Sequence, residues 1–211
     1  MGKTQTVEII LKEKIIAIIR ASGLIDVIPI VRALLDGGLH VLEVSFNTPG
    51  AADLIQKISK EFGDDLCCGA GTVVDEFTAM RAIEAGSRFV ISPIADEGMM
   101  RACISNGIPV IPGAFTAAEI YNSFARGAPM VKVFPAEPSG PDYIKAIKAV
   151  FPQIPMIAVG GIDAENARIY LNKGASAVAV GTSIVNDTLI KTGAYVQIQK
   201  NACHMKESIA P

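Results

Sequence analysis

Eight short apolar runs recur along the chain: Ile15–Ile19, Val41–Phe46, Leu66–Gly71, Phe89–Ile91, Val110–Ala114, Met130–Phe134, Met156–Gly160 and Ala177–Gly181. Their starts lie 20 to 26 residues apart. Most are rich in Val and Ile, as strands buried on both faces are. Between the runs the apolar period changes. Ile25, Ile28, Val31, Leu34 and Leu35, and then Leu54, Ile55 and Ile58, follow the 3.6-residue repeat of amphipathic helices. Gly37-Gly38, Gly63, Gly86, Gly107, Gly127 and Gly174 each come shortly before a run, where a helix ending in a left-handed residue is expected.

Strand, helix, glycine and strand repeated eight times predict an α/β fold, a single (β/α)8 TIM barrel. Short right-handed crossovers give an all-parallel sheet, and eight units close it. An open doubly wound sheet is the alternative, but its repeats are seldom so even. Thr4–Glu13, with Val7, Ile10 and Leu11 at helical spacing, predicts a short N-terminal helix that plugs the barrel floor or packs on a neighbour. After Asn186 the pattern predicts one final helix running toward Lys206. No linker or low-complexity stretch interrupts the pattern, so residues 1–211 read as one domain.

Composition narrows the function classes. Nineteen Lys+Arg against 21 Asp+Glu give a net charge of −2, so no basic surface for nucleic-acid phosphates is expected. Half the residues are hydrophobic, too many for a disordered chain. The longest uncharged run, Ala102–Ala118, is punctuated by Asn106, Gly107, Pro109, Pro112 and Gly113 and does not read as a membrane span. Glu8, Lys12 and Glu13 interrupt the apolar start, so no cleavable signal is expected and the chain reads as cytoplasmic. Met1-Gly2 with Thr6 matches a myristoylation pattern so short that it arises by accident. Cys67, Cys68, Cys103 and Cys203 lack metal-site spacing and read as reduced thiols. With only His40 and His204, far apart in sequence, no His-based catalytic or metal site is expected.

In such a barrel the chemistry lies at the C-terminal strand ends, so polar residues on or just past those ends are the informative ones. Arg20 ends the first run, Glu43 sits inside the second, Thr72 follows the third and Lys132 sits inside the sixth. Strand alternation puts Glu43 on a face with Val41 and Ser45, and Lys132 on a face with Met130 and Phe134. Leu42, Val44, Val131 and Val133 then face the helices, and both charges face the lumen. A buried Lys–Glu pair that only fills space is the bland reading, but apolar residues would pack as well there. A lysine among Val, Phe and Met loses solvation, which favours its neutral, nucleophilic amine. That amine can form a Schiff base with a ketone, and the iminium is an electron sink for carbon–carbon cleavage. Glu43 across the lumen can shuttle the protons. At the last two strand ends, Gly160, Gly161 and Gly181 let backbone N–H groups approach an anion, and Thr182 and Ser183 add donors. Barrels often hold phosphate at that place.

Gly38–Glu43 and Gly127–Ala136, the latter containing Lys132-Val-Phe-Pro-Ala, resemble the bacterial 2-keto-3-deoxy-6-phosphogluconate / 4-hydroxy-2-oxoglutarate (KDPG/KHG) aldolases. Gly69–Thr72, Ile91–Pro93, Ile111–Gly113, Gly160–Ile162 and Gly181–Ser183 resemble further blocks of that family, in order, so the likeness runs from about Ile15 to Val185. The resemblance implies a metal-independent class I aldolase without a cofactor. In it Lys132 is the Schiff-base lysine and Glu43 the acid/base residue. Thr72, Pro93 and Phe134 surround the pyruvyl part, and Gly160, Gly161 and Ser183 hold the phosphate end. It also implies a homotrimer. The expected reaction is reversible cleavage of a 2-keto-4-hydroxy acid to pyruvate and an aldehyde, either glyceraldehyde 3-phosphate or glyoxylate. The galactonate-derived epimer is an alternative substrate.

Two positions depart from the family pattern. Many members carry Arg in the loop after the second strand, where this chain has Asn47. Arg20, on the same rim, is the replacement expected to grip the carboxylate in bidentate fashion. Val159 stands where a polar Thr often precedes Gly-Gly, which bears on preference at the distal end of the substrate. A phosphosugar isomerase or epimerase, or a non-catalytic ligand-binding barrel, would share the phosphate grip. The first usually needs metal ligands or two carboxylates; the second predicts that Lys132 is dispensable.

Overall fold

The computed structural model describes residues 2–210, so Met1 of the myristoylation-like start lies outside the described residues. Among them, nine parallel strands form one sheet: β1 Ile15–Ile19, β2 Val41–Ser45, β3 Cys67–Gly71, β4 Val90–Ile91, β5 Val110–Ile111, β6 Gly113–Ala114, β7 Val131–Val133, β8 Met156–Val159 and β9 Ala177–Val180. Their order is β5-β4-β3-β2-β1-β9-β8-β7-β6. The expected strand Val110–Ala114 is split at Pro112, which has no N–H to give to a ladder. The halves face opposite ways around the ring. Ser92 N–H donates to the Ile111 carbonyl at 3.1 Å on one side, and Lys132 N–H donates to the Pro112 carbonyl at 2.9 Å on the other. The segment thereby bridges the two ends of the sheet and completes a nearly closed (β/α) barrel.

Ten α-helices are described: α1 Lys3–Glu13, α2 Val27–Asp36, α3 Ala51–Phe62, α4 Glu76–Glu84, α5 Glu97–Ser105, α6 Ala117–Ala125, α7 Gly140–Val150, α8 Ala167–Asn172, α9 Asp187–Lys191 and α10 Tyr195–Ser208. Several loops leaving the strand ends finish on side-chain caps, which fix where the next helix begins. Asp75 accepts from Thr78 N–H and Asp96 from Met99 N–H, each at 2.7 Å, while Thr116 and Glu119 form a capping box. The last helix departs from expectation: it is two helices, α9 and α10. The break falls at Gly193, whose φ of +63° is left-handed and cannot continue a right-handed turn. None of the described helices is long and apolar enough to cross a membrane.

Alternation along the strands sorts the side chains into two apolar layers. Leu42, Val44, Val131 and Val133 pack outward against the helices. Ile16, Val41, Phe89, Met130 and Ile157 fill the lumen. Ile10 of α1 joins the inner layer fully buried, with Val7, Ile9 and Leu11 packed beside it. Of the two placements expected for this helix, the structure has the plug in the barrel. The four cysteines are free thiols, and burial raises Cys67 to about 11 and Cys103 to about 12.

Candidate active site

Glu43 and Lys132 both lie in the lumen, 2% and 5% exposed, in a region otherwise apolar. On β2, Glu43 stands between Ile18 of β1 and Gly69 of β3; on β7, Lys132 stands between Gly113 of β6 and Ile157 of β8. The glycines explain how long side chains fit. A Cβ on Gly71 would overlap Oε1 of Glu43, and a Cβ on Gly69 would overlap the Phe89 ring. A Cβ on Gly113 would overlap the Pro93 carbonyl, so Gly113 sets how closely the half-buried Pro93 approaches the β6 end.

Electrostatics follow from this burial. Loss of hydration raises the Glu43 carboxyl from 4.5 to about 7, against the opposing pull of Lys132 and Arg20. Burial lowers the Lys132 ammonium, opposed by Glu43 and assisted by Arg20. The two groups feel each other's charge, yet no direct ion pair joins them among the described residues. Oε2 of Glu43 is buried without a hydrogen-bond partner among those residues, a costly arrangement unless a bound molecule uses it. The Lys132 amine sits 4.6 Å from the Phe134 ring centroid, and Phe134 is itself 37% exposed, at the mouth. A basic-when-ionised carboxylate and a readily neutralised amine are therefore buried in one apolar lumen, each within the other's field. That combination suits imine formation and proton transfer.

Thr72, just past β3, has φ of +58°, a strained conformation for a β-branched residue. Its hydroxyl lies 3.0 Å from Ser45 Oγ, and Ser45 is fully buried. Ser45 was legible as a neighbour of Glu43 on the same face of β2, but its contact with Thr72 depends on strand register. Arg20 follows β1 and lines a pocket of about 180 Å³ together with Phe134, Gly160, Gly161, Gly181 and Thr182. Val159 and Ile18 form its apolar wall. Gly160 and Gly161 have φ of +103° and +71°, so the loop after β8 exposes backbone that a larger residue would strain. The N–H groups of Gly161 and Thr182 have no hydrogen-bond partner among the described residues.

Ser183 is the one candidate whose side chain is drawn elsewhere. Its hydroxyl donates to the Ile162 carbonyl at 3.4 Å and lines a separate cleft with Asp163, Asn201 and His204. A turn, with Ile184 and Val185 N–H both donating to the Gly181 carbonyl, rotates that side chain away. A larger cleft of about 680 Å³ adjoins the site, sharing Arg20 and Thr182 and adding Asn47, Ser22 and Asp187. Sequence reasoning missed the last two, because they meet Arg20 only through loop contacts between neighbouring strands. The steric argument at Gly71 has a direct test. Gly71→Ala should displace the Glu43 carboxylate and lower kcat/KM about 100-fold while circular dichroism stays native.

The KDPG and KHG aldolase family model matches residues 7–201. KHG/KDPG aldolase of Escherichia coli K12 is 34% identical over 203 residues, spanning 95% of this chain and 94% of that protein. The 2-dehydro-3-deoxy-6-phosphogalactonate aldolase of the same organism is 30% identical over 198 residues, spanning 90% of this chain and 97% of its own. Among solved structures, KDPG aldolase from Legionella pneumophila with pyruvate captured as a covalent carbinolamine superposes with a TM-score of 0.87. It is 31% identical and the match covers 96% of this chain and 98% of that one. By fold, by sequence match and by its relatives, the chain belongs to the KDPG and KHG aldolase family.

Proposed function

We propose that this chain is a class I aldolase that uses Lys132 and Glu43 to cleave 2-keto-3-deoxy-6-phosphogluconate, 4-hydroxy-2-oxoglutarate, or both. The single observation that carries the reading is the lysine and carboxyl buried together in the lumen, with the amine held toward its neutral form. The neutral Lys132 amine attacks the C2 carbonyl, and the carbinolamine hydroxyl takes a proton relayed from solvent by Glu43 and leaves as water to give an iminium. The ionised Glu43 takes the proton of the C4 hydroxyl. As the C3–C4 bond breaks, its electron pair passes to C3 and into the iminium, which becomes an enamine, and the aldehyde departs. Glu43 returns the proton to C3, and hydrolysis of the imine frees pyruvate and regenerates the amine. Arg20 and Thr72 bind the substrate carboxylate. Pro93 and Phe134 flank the pyruvyl carbons. Gly160, Gly161, Gly181 and Thr182 receive the phosphate through backbone N–H groups, with Ser183 contributing its main chain.

Borohydride reduction in the presence of pyruvate is expected to convert the imine to a stable 1-carboxyethyl amine on Lys132, read by peptide mass. A folded protein without that adduct would overturn the mechanism. The galactonate-series substrate is a second reading, favoured by the Escherichia coli phosphogalactonate relative; Val159, in the pocket wall, stands where the distal end of the substrate would lie. Retro-aldol rates on both phosphorylated epimers and on 4-hydroxy-2-oxoglutarate, with coupled detection of pyruvate, separate the readings. The chemistry proposed needs no metal and no cofactor.

The assembly we propose is a homotrimer. Val74, Phe77, Ile94 and Phe115 are exposed large apolar side chains following the ends of β3, β4 and β6. Such clustering on one side of the rim supports a buried subunit contact. Sedimentation of the native chain should give three times the 22.2 kDa subunit mass, and Phe77→Glu should shift it toward the monomer.

A further inference from the structure

Arg20 is exposed, and its guanidinium makes no hydrogen bond or ion pair among the described residues. Yet a bidentate grip on a carboxylate tolerates little error in position. The two residues that follow it are held instead. Ala21 N–H donates to Thr48 Oγ1 at 3.1 Å, and Ser22 N–H donates to Asp187 Oδ1 at 3.0 Å. Thr48 lies past the end of β2 and Asp187 opens α9 beyond β9, and those strands are the two neighbours of β1. The loop carrying Arg20 is thus tied to both adjoining strand ends.

Each tie is itself anchored. Thr48 is 2% exposed; its N–H donates to the Ser45 carbonyl at 2.8 Å, and its own carbonyl accepts from Ala51 N–H at 3.1 Å. The hydrogen bond from Ser22 holds the Asp187 carboxyl below its ordinary value, so it remains an acceptor throughout the neutral range. Asp187 shares the 680 Å³ cleft with Arg20 but is engaged by Ser22 and lies 4.0 Å from Lys191, forming no ion pair with the guanidinium. Arg20 is left to pair with an incoming anion.

We propose that Thr48 and Asp187 are positioning residues that brace the β1 loop and so set the reach of Arg20 toward the substrate carboxylate. This inference rests on the carboxylate-binding reading of Arg20. Both act through backbone N–H groups of the loop, so their removal loosens Arg20 without touching Lys132 or Glu43.

The test is the pyruvate concentration giving half-maximal borohydride labelling of Lys132, measured on the full chain. Thr48→Val, which keeps the shape and removes the acceptor, is expected to raise it about fivefold with the labelling plateau unchanged. Thr48→Ser should restore it. Asp187→Ala, at the more exposed tie, should raise it in the same direction and provides the reading if Thr48→Val does not fold. In an Arg20→Ala background neither substitution should add to the shift, because the group they position is gone. An unchanged half-saturation in both braced variants, or an equal shift with and without Arg20, would overturn the brace. If Arg20→Ala itself leaves pyruvate labelling unchanged, the carboxylate role of Arg20 fails, and the brace fails with it. If Arg20→Ala weakens labelling and the two ties do not, only the brace fails.

Discussion

Replacing Lys132 with Met is expected to lower retro-aldol turnover by at least about 10⁴-fold and to abolish labelling by pyruvate and borohydride. Met matches the unbranched lysine stem and needs no hydration, so it fits a site that is 5% exposed and makes no ion pair among the described residues. Removing a buried ammonium also relieves the desolvation that already lowers this group. The variant should therefore melt at or above the wild-type temperature while being inactive. That combination separates chemistry from folding. Full turnover in the Met variant would overturn the Schiff-base mechanism, whereas pyruvate binding without turnover in the wild type would support the non-catalytic barrel.

Glu43→Gln should cost about 10²- to 10⁴-fold in kcat, the usual range for a general acid–base. It should also change how the fold responds to pH. Because the folded carboxyl titrates near 7 and the ordinary value is 4.5, the folded state keeps a proton between those values that the unfolded chain has released. The sign is that of a raised group: stability is full below 4.5, falls as pH rises through the window and levels off above about 7. The gap corresponds to roughly 3 kcal/mol. Gln stays neutral throughout, so the variant should match wild type at pH 4.5 and melt roughly 5–10 °C higher at pH 8.5. Wild-type kcat/KM should rise through about pH 7 as Glu43 ionises, and the Gln variant should lose that inflection. Thermal melts and rate profiles at the same pH values check both parts.

The strand pattern was legible because burial on both faces leaves near-continuous Val/Ile runs, which glycine punctuates. The inward direction of Glu43 and Lys132 followed from alternation alone. Other features depend on groups far apart in sequence. Pro112 was visible, but whether it ends a strand or only interrupts a ladder depends on which neighbours take the flanking carbonyls. Gly193 breaks the final helix although the apolar spacing continues past it. Gly69 and Gly71 read as a family block, whereas their necessity comes from Phe89 and Glu43 on adjacent strands. The Ser183 hydroxyl was expected to turn toward an anion, and a two-bond turn on Gly181 gives it to a carbonyl instead.

The plug at the base of the barrel has a consequence for the order of events at the other end. Ile10 and the apolar layer packed on it close the floor of the lumen, so in the proposed reaction substrate, aldehyde and hydrolytic water all pass through one mouth. The water released on imine formation and the aldehyde must both leave by the way the substrate came in. A helix remote from the lysine thereby leaves the proposed site one-ended, so the aldehyde must clear the mouth before a second substrate can enter.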